Sequence, residues 1–160
     1  MKKLVIYYSL DGNTRCIAQA IAETAGADIL ELKYTAPPAS KGFMKYLWGG
    51  RQVFMKEEPE LLPFEKNPLD YDLLFIGTPV WAWSYAPALA TFFATQKIKG
   101  KKVALFCCSG GGKGKTLEKM KERLEGNEFI GEVDFIDPAR RDKEKNILKT
   151  KQWLAGLSAL

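Results

Sequence analysis

The sequence predicts an α/β fold, a doubly wound five-stranded parallel sheet, because short apolar runs rich in β-formers alternate with helical patterns along the whole chain. Right-handed crossovers between such units place helices on both faces of the sheet. A second observation locates function on that frame. Three unusual loops follow the first, third and fourth apolar runs, and in an open parallel sheet all of those ends lie on one edge, where ligands bind.

The elements follow in order. Residues 3–8 form a short apolar run closed by the turn signal Asp11-Gly12-Asn13, as expected of a buried parallel strand. Over 13–25, Ile17, Ala20 and Ile21 recur at helical spacing with Cys16 beside them, and Gly26 stands at the usual stop. Residues 27–33 alternate apolar and acidic side chains, an edge-side strand. Residues 72–77 and 102–108 are two more buried runs. Leu89, Phe92 and Phe93 mark the helix after the first of them, and Leu117, Met120 and Leu124 the helix after the second. A last strand is predicted over 132–137, then a helix with Ile147, Thr150, Leu154 and Leu157 on one side. The join over 36–67 is too long for a plain loop, and its aromatic stretch 41–56 reads as a helical excursion packed on the sheet or overhanging the ligand edge. No repeat or linker interrupts the pattern, so residues 1–160 read as a single domain.

Composition narrows the chemistry. The chain has 160 residues, enough for one real core, with 46% hydrophobic and 27% charged residues, which argues against disorder. It has no histidine, which excludes histidine-based triads and the common transition-metal sites. Its cysteines, Cys16, Cys107 and Cys108, show neither metal spacing nor a disulfide framework. Cys107 and Cys108 are adjacent on a strand and so point to opposite faces, where they read as small hydrophobes rather than a redox pair. No apolar run approaches the ~20 residues of a membrane span. The apolar N-terminal run is too short for a signal peptide, so a cytoplasmic location without membrane association is expected. The net charge of +5 comes from scattered lysines without an arginine block, a pattern that argues against nucleic-acid binding.

The first loop, Ser9, Leu10, Asp11, Gly12, Asn13 and Thr14, runs straight into a helix. Hydroxyls, an amide and the free N–H groups of a helix start make an anion cradle, although Asn and Thr also serve simply as helix caps. The second loop holds Thr78, Pro79, Val80, Trp81 and Trp83 and carries no charge through Pro87. Its stiff aromatic surface suits a planar heteroaromatic ligand, or alternatively covers the core as the chain turns. The third, Ser109, Gly110 and Gly111 followed by Gly112-Lys113-Gly114-Lys115-Thr116, lets main chain approach a polar ring edge, or is a flexible turn. It is not a nucleotide P-loop, because the first glycine that motif requires is Ser109.

Together these stretches resemble the flavodoxin family over nearly the whole chain. The first loop matches the family's phosphate loop Ser/Thr-x-Thr-Gly-Asn-Thr, with Asp11 in place of threonine. The stretch Gly77-Thr78-Pro79-Val80-Trp81-Ala82-Trp83 resembles its isoalloxazine-binding loop, and Ser109 to Gly112 stands where its second flavin loop lies. The resemblance implies sheet order 2-1-3-4-5 and FMN as cofactor. It assigns the phosphate to Ser9, Asp11, Gly12, Asn13 and Thr14, the ring system to Thr78, Pro79, Trp81 and Trp83, and the outer ring edge to Ser109–Gly111. Leu10 and Val80 fall inside the same two loops. A carboxylate at position 11 would repel the phosphate, so Asp11 is expected to turn its side chain away, as a helix cap, and to contribute its N–H.

The family's carriers are typically acidic, whereas this chain is basic, so either its partner is acidic or it is not a freely diffusing carrier of the usual kind; lysines near the ring would stabilise the anionic reduced flavin. Electron transfer to a redox partner protein or a small-molecule electron acceptor is the function this implies. The alternatives are an FMN-dependent NAD(P)H oxidoreductase acting on a quinone or similar acceptor, and a flavin-free interaction module. Exposed tryptophans are compatible with a monomer or a homodimer.

Overall fold

A computed structural model of the chain describes residues 1–36 and 58–157. In chain order it contains β1 (Lys3–Tyr7), α1 (Asn13–Ala25), β2 (Asp28–Glu31), a 3-10 turn (Pro68–Asp70), β3 (Leu73–Trp81), β4 (Ser84–Tyr85), α2 (Pro87–Thr95), β5 (Lys102–Ser109), α3 (Thr116–Arg123), β6 (Glu128–Ile136) and α4 (Lys143–Ala155). Five strands pair in parallel in the order β2-β1-β3-β5-β6, which is 2-1-3-4-5 when parallel strands alone are counted. The sixth, β4, is an antiparallel addition to the end of β3. The doubly wound five-stranded parallel sheet read from the sequence is therefore present, with one short hairpin strand added.

Side-chain alternation along the strands explains the layers. Leu4, Ile6, Leu74, Ile76, Leu105 and Cys107 face α2 and α3, where Leu89, Phe92, Leu117 and Met120 meet them. Val5, Tyr7, Phe75, Ala104, Phe106 and Cys108 face the other way, against Ile17 and Ile21 of α1 and Leu154 of α4. Each fully buried Leu, Ile or Phe contributes about 1.5–3 kcal/mol over its exposed state, so both faces hold the sheet.

Three boundaries differ from the sequence reading. β3 runs to Trp81 rather than stopping at 77, and β6 starts at Glu128 rather than 132. Gly131 interrupts the apolar pattern there because Leu157 occupies the space a Cβ would need. β2 is shorter than expected, although Leu32 N–H still donates to the Tyr7 carbonyl (2.7 Å). The excursion predicted over 41–56 lies outside the described residues. The returning chain pairs Leu61 with Tyr34, sets Phe64 6.0 Å from Phe92, and places the Pro59 carbonyl to accept from Thr91 Oγ1 (2.7 Å).

The cysteines follow the core. Cys107 and Cys108 are buried on opposite faces. Burial pushes the Cys107 thiol up to about 12 and raises Cys108 well above its ordinary value. With the reactive thiolate suppressed, an alkylating reagent at pH 8 is expected to label only the half-buried Cys16 in the folded protein, and all three in denaturant. Mass-spectrometric labelling of Cys107 or Cys108 at the rate of Cys16 in the folded state would contradict this packing.

Candidate functional site

The first loop leaves β1 and enters α1 through Gly12, which takes φ +93° as the N-cap residue. That left-handed backbone is what glycine permits, and the space beside it is open, with no atom within 4 Å of where a Cβ would stand. The first N–H groups of a helix have no intrahelical partner, so those of Gly12, Asn13 and Thr14 are the natural anion donors here. The next N–H, of Arg15, is taken by Ser9 Oγ at 3.2 Å.

The helix-capping alternatives do not hold here. Asn13 and Thr14 do not cap α1; they lie inside its first turn and are buried. Asn13 Oδ1 instead accepts from Ala139 N–H (3.0 Å). Asp11 is not a cap either: its carboxylate accepts weakly from Asn13 Nδ2 (3.5 Å) and faces Arg140 at 3.9 Å. Thr14 is only 1% exposed, and its hydroxyl has no hydrogen-bond partner in ordinary geometry. Its neighbour is the Cys108 thiol, whose pKa is raised by burial and only partly offset by Thr14; a thiol is a weak partner. The Thr14 hydroxyl therefore has that thiol as its one neighbour of polar character among the described contacts.

The second loop is largely strand. Thr78, Pro79, Val80 and Trp81 extend β3, and a two-residue turn of Ala82 (φ 46°) and Trp83 (φ 56°) returns into β4. Positive φ at both turn positions is the hairpin geometry whose twist suits strands, normally supplied by Asn-Gly. Thr78 is fully buried, and its hydroxyl accepts from Ala86 N–H (2.9 Å) and donates to the Pro79 carbonyl (2.9 Å). The Thr78 side chain thus fastens the hairpin to the start of α2 and is not presented to a ligand. Trp81 packs edge-on against Tyr8 at 5.6 Å, and Tyr8 lies 5.0 Å from Tyr34. Burial holds both tyrosine hydroxyls protonated far above the usual range. Trp83 is 73% exposed at the tip.

In the third loop, Ser109 Oγ accepts from Gly112 N–H (2.9 Å), closing a tight turn that leaves Gly110 and Gly111 exposed. Gly114 lies beneath Trp83: a Cβ there would come 2.8 Å from Trp83 Cδ1 and 2.9 Å from its Cβ.

A fourth loop, residues 137–142 after β6, was not singled out by the sequence reading. Its Asp137 N–H donates to the Ser109 carbonyl (2.9 Å), and its Ala139 and Arg140 reach Asn13 and Asp11. The contacts therefore close a ring: Tyr8 to Trp81, Trp83 to Gly114, Ser109 to Asp137, and residues 139–140 back to the first loop. The signal was available, since this loop follows the C-terminal end of a parallel strand and so shares the edge.

The edge is not a field of free cations. Arg15 pairs with Glu31, Lys113 with Glu132 (3.8 Å) and Asp134 (3.9 Å), Arg140 with Asp11, and Arg141 with Asp137 (3.5 Å). The positive surroundings that the net charge suggests for the ring are therefore largely neutralised at these positions. Among the described residues no cluster of metal-ligating side chains exists, and no helix is long and apolar enough to cross a membrane.

A parallel sheet of this order, with its loops joined in a ring around a helix N-terminus, defines a flavodoxin-like α/β protein. The flavodoxin family model matches residues 2–132, and the chain belongs to that family. A flavoprotein from Lactobacillus acidophilus, solved in complex with FMN, is 26% identical and superposes with a TM-score of 0.73 over 89% of this chain and 97% of its own. A candidate flavoprotein from Bacteroides uniformis shares 20% identity at a TM-score of 0.76, covering 96% and 97% of the two chains. The flavodoxin of Megasphaera elsdenii, solved in its two-electron reduced state, shares 23% identity at 0.53, covering 93% and 97%.

Proposed function

We propose that this chain is an FMN-binding electron-transfer protein. The observation that carries the reading is the closed ring of loops at the N-terminus of α1, where Gly12 at φ +93° leaves the first helical N–H groups facing open space. The phosphate is held by N–H groups of Gly12, Asn13 and Thr14 and by the Thr14 hydroxyl, without a lysine. The ring system is received between the Pro79–Trp83 hairpin and the Ser109–Gly111 turn, whose exposed backbone offers donors and acceptors. Bound flavin supplies the redox chemistry, passing electrons singly or in pairs, and the residues around it set orientation and dielectric.

The electrons would pass at the exposed edge of the ring system to a redox partner protein or a small acceptor. The test is an absorbance titration of the apoprotein with FMN, followed by stepwise anaerobic reduction. Stoichiometric uptake with shifted flavin bands, then reduction in two resolved one-electron steps, is the expected result. Absence of uptake would overturn the cofactor reading. Saturable NAD(P)H oxidation by the flavin-loaded protein would replace the carrier with a reductase.

A further inference from the structure

We propose that Arg140, in the loop between β6 and α4, makes the site selective for the phosphorylated form of the flavin; this rests on the FMN reading above. The first loop holds a feature at odds with anion binding, the Asp11 carboxylate beside the N–H groups that would receive a phosphate. A carboxylate there repels a dianion. The structure sets Arg140 against it, with the guanidinium 3.9 Å from Asp11 Oδ2, beyond hydrogen-bond distance. The guanidinium carries five donors in a rigid fork, so facing one carboxylate at this separation leaves donors for a second anion.

The placement of Arg140 is built rather than incidental. Its own N–H and that of Arg141 donate to the Asp137 carbonyl (3.0 and 2.8 Å), and Asp137 takes φ 43° to make that turn. Arg141 spends its charge on the Asp137 carboxylate (3.5 Å). Ala139 N–H, next in sequence to Arg140, is bonded to Asn13 Oδ1, so the loop is fastened to the first residue of α1. The Arg140 backbone is thereby held beside the first loop, and its largely exposed side chain reaches Asp11 there. It neutralises Asp11 when the site is empty and offers charge-assisted bonds to a phosphate when it is filled. Riboflavin and FMN share the ring and the sugar chain, so a residue acting only at the phosphate separates the two ligands.

The experiment compares wild type, Arg140→Ala and the double variant Arg140→Ala/Asp11→Asn by fluorescence titration of each apoprotein with FMN and with riboflavin. Arg140 is exposed, so its removal leaves the core intact. Arg140→Ala is expected to weaken FMN by about tenfold while riboflavin changes by less than about twofold. Removing the Asp11 charge as well is expected to restore part of the FMN affinity. Unchanged FMN affinity, or equal weakening of both ligands, would overturn the proposal. Thermal melts of the apoproteins with and without inorganic phosphate separate the two layers of the inference. If wild type takes up no FMN, the cofactor reading fails, yet phosphate should still raise the melting temperature of wild type more than that of Arg140→Ala. Equal stabilisation of both would overturn the role of Arg140 by itself.

Discussion

Gly77→Ala is expected to destabilise the protein by about 3 kcal/mol and to lower its melting temperature by roughly 6–12 °C. Gly77 lies in the middle of the sheet, paired with Tyr7 of β1 on one side and Phe106 of β5 on the other. A Cβ at this position would fall inside the van der Waals envelope of the Phe106 ring. The ring occupies the room that glycine leaves, and it cannot retreat, because Phe106 is fully buried in the layer with Phe75 and Phe135. One added methyl must therefore spread β3 from β5 or force Phe106 off its rotamer.

The effect reaches the site because of where the strain falls. Gly77 precedes Thr78 directly, and Phe106 is three residues before Ser109, so spreading these strands separates the hairpin from the glycine turn. FMN affinity is expected to fall together with stability. Chemical denaturation of Gly77→Ala, Phe106→Leu and the double variant checks the cause. A double variant less destabilised than the sum of the singles, by about 1 kcal/mol or more, identifies the Phe106 ring as the obstacle. Additive losses would show that the strain lies elsewhere.

How much of this was legible in the sequence depends on which physical signal each part leaves. The parallel strands were readable because strands buried on both faces must be continuous apolar runs, as 72–77 and 102–108 are; their order came only from the resemblance to flavodoxins. The turn from β1 into α1 was readable because glycine at a strand-to-helix turn is a backbone requirement, met here by Gly12 at φ +93°. The hairpin was not. Its turn is Ala82-Trp83, and nothing in that pair announces positive φ. The conformation is imposed by Trp83 lying over Gly114, 31 residues on, and by Thr78 bonding Ala86 across the base of the hairpin. The pairing of Asn13 with Ala139 and of Asp11 with Arg140 was hidden for the same reason, since it spans nearly the whole described chain. Of the two uses the sequence left open for Asn13 and Thr14, capping does not occur: Asn13 latches the loop after β6, and Thr14 is buried beside Cys108.

Thr78→Val is expected to weaken FMN binding by tenfold or more, about 1.4 kcal/mol in binding, while costing about 1–3 kcal/mol of stability. The substitution keeps shape and removes only the hydroxyl. Ala86 N–H, in a residue with no exposure, then loses its acceptor, and the Pro79 carbonyl loses a donor. An unmade bond at a buried group carries the full desolvation penalty. The consequence concentrates on the hairpin because Ala82 and Trp83 are held in left-handed conformations that oppose it by about 1–2 kcal/mol each. Without the Thr78 fastening, that strain can relax by shifting Trp81 and Trp83, the aromatic wall of the site. Hydrogen exchange reads this directly: Ala86 and the β4 amides should lose protection while β1 and β5 keep theirs, unlike Gly77→Ala, which should loosen the central strands. Thr78→Ser retains the hydroxyl and should recover most of the FMN affinity. If Thr78→Val binds FMN as wild type does, the hairpin holds its shape without that bond, through contacts such as Trp81 on Tyr8 and Trp83 over Gly114.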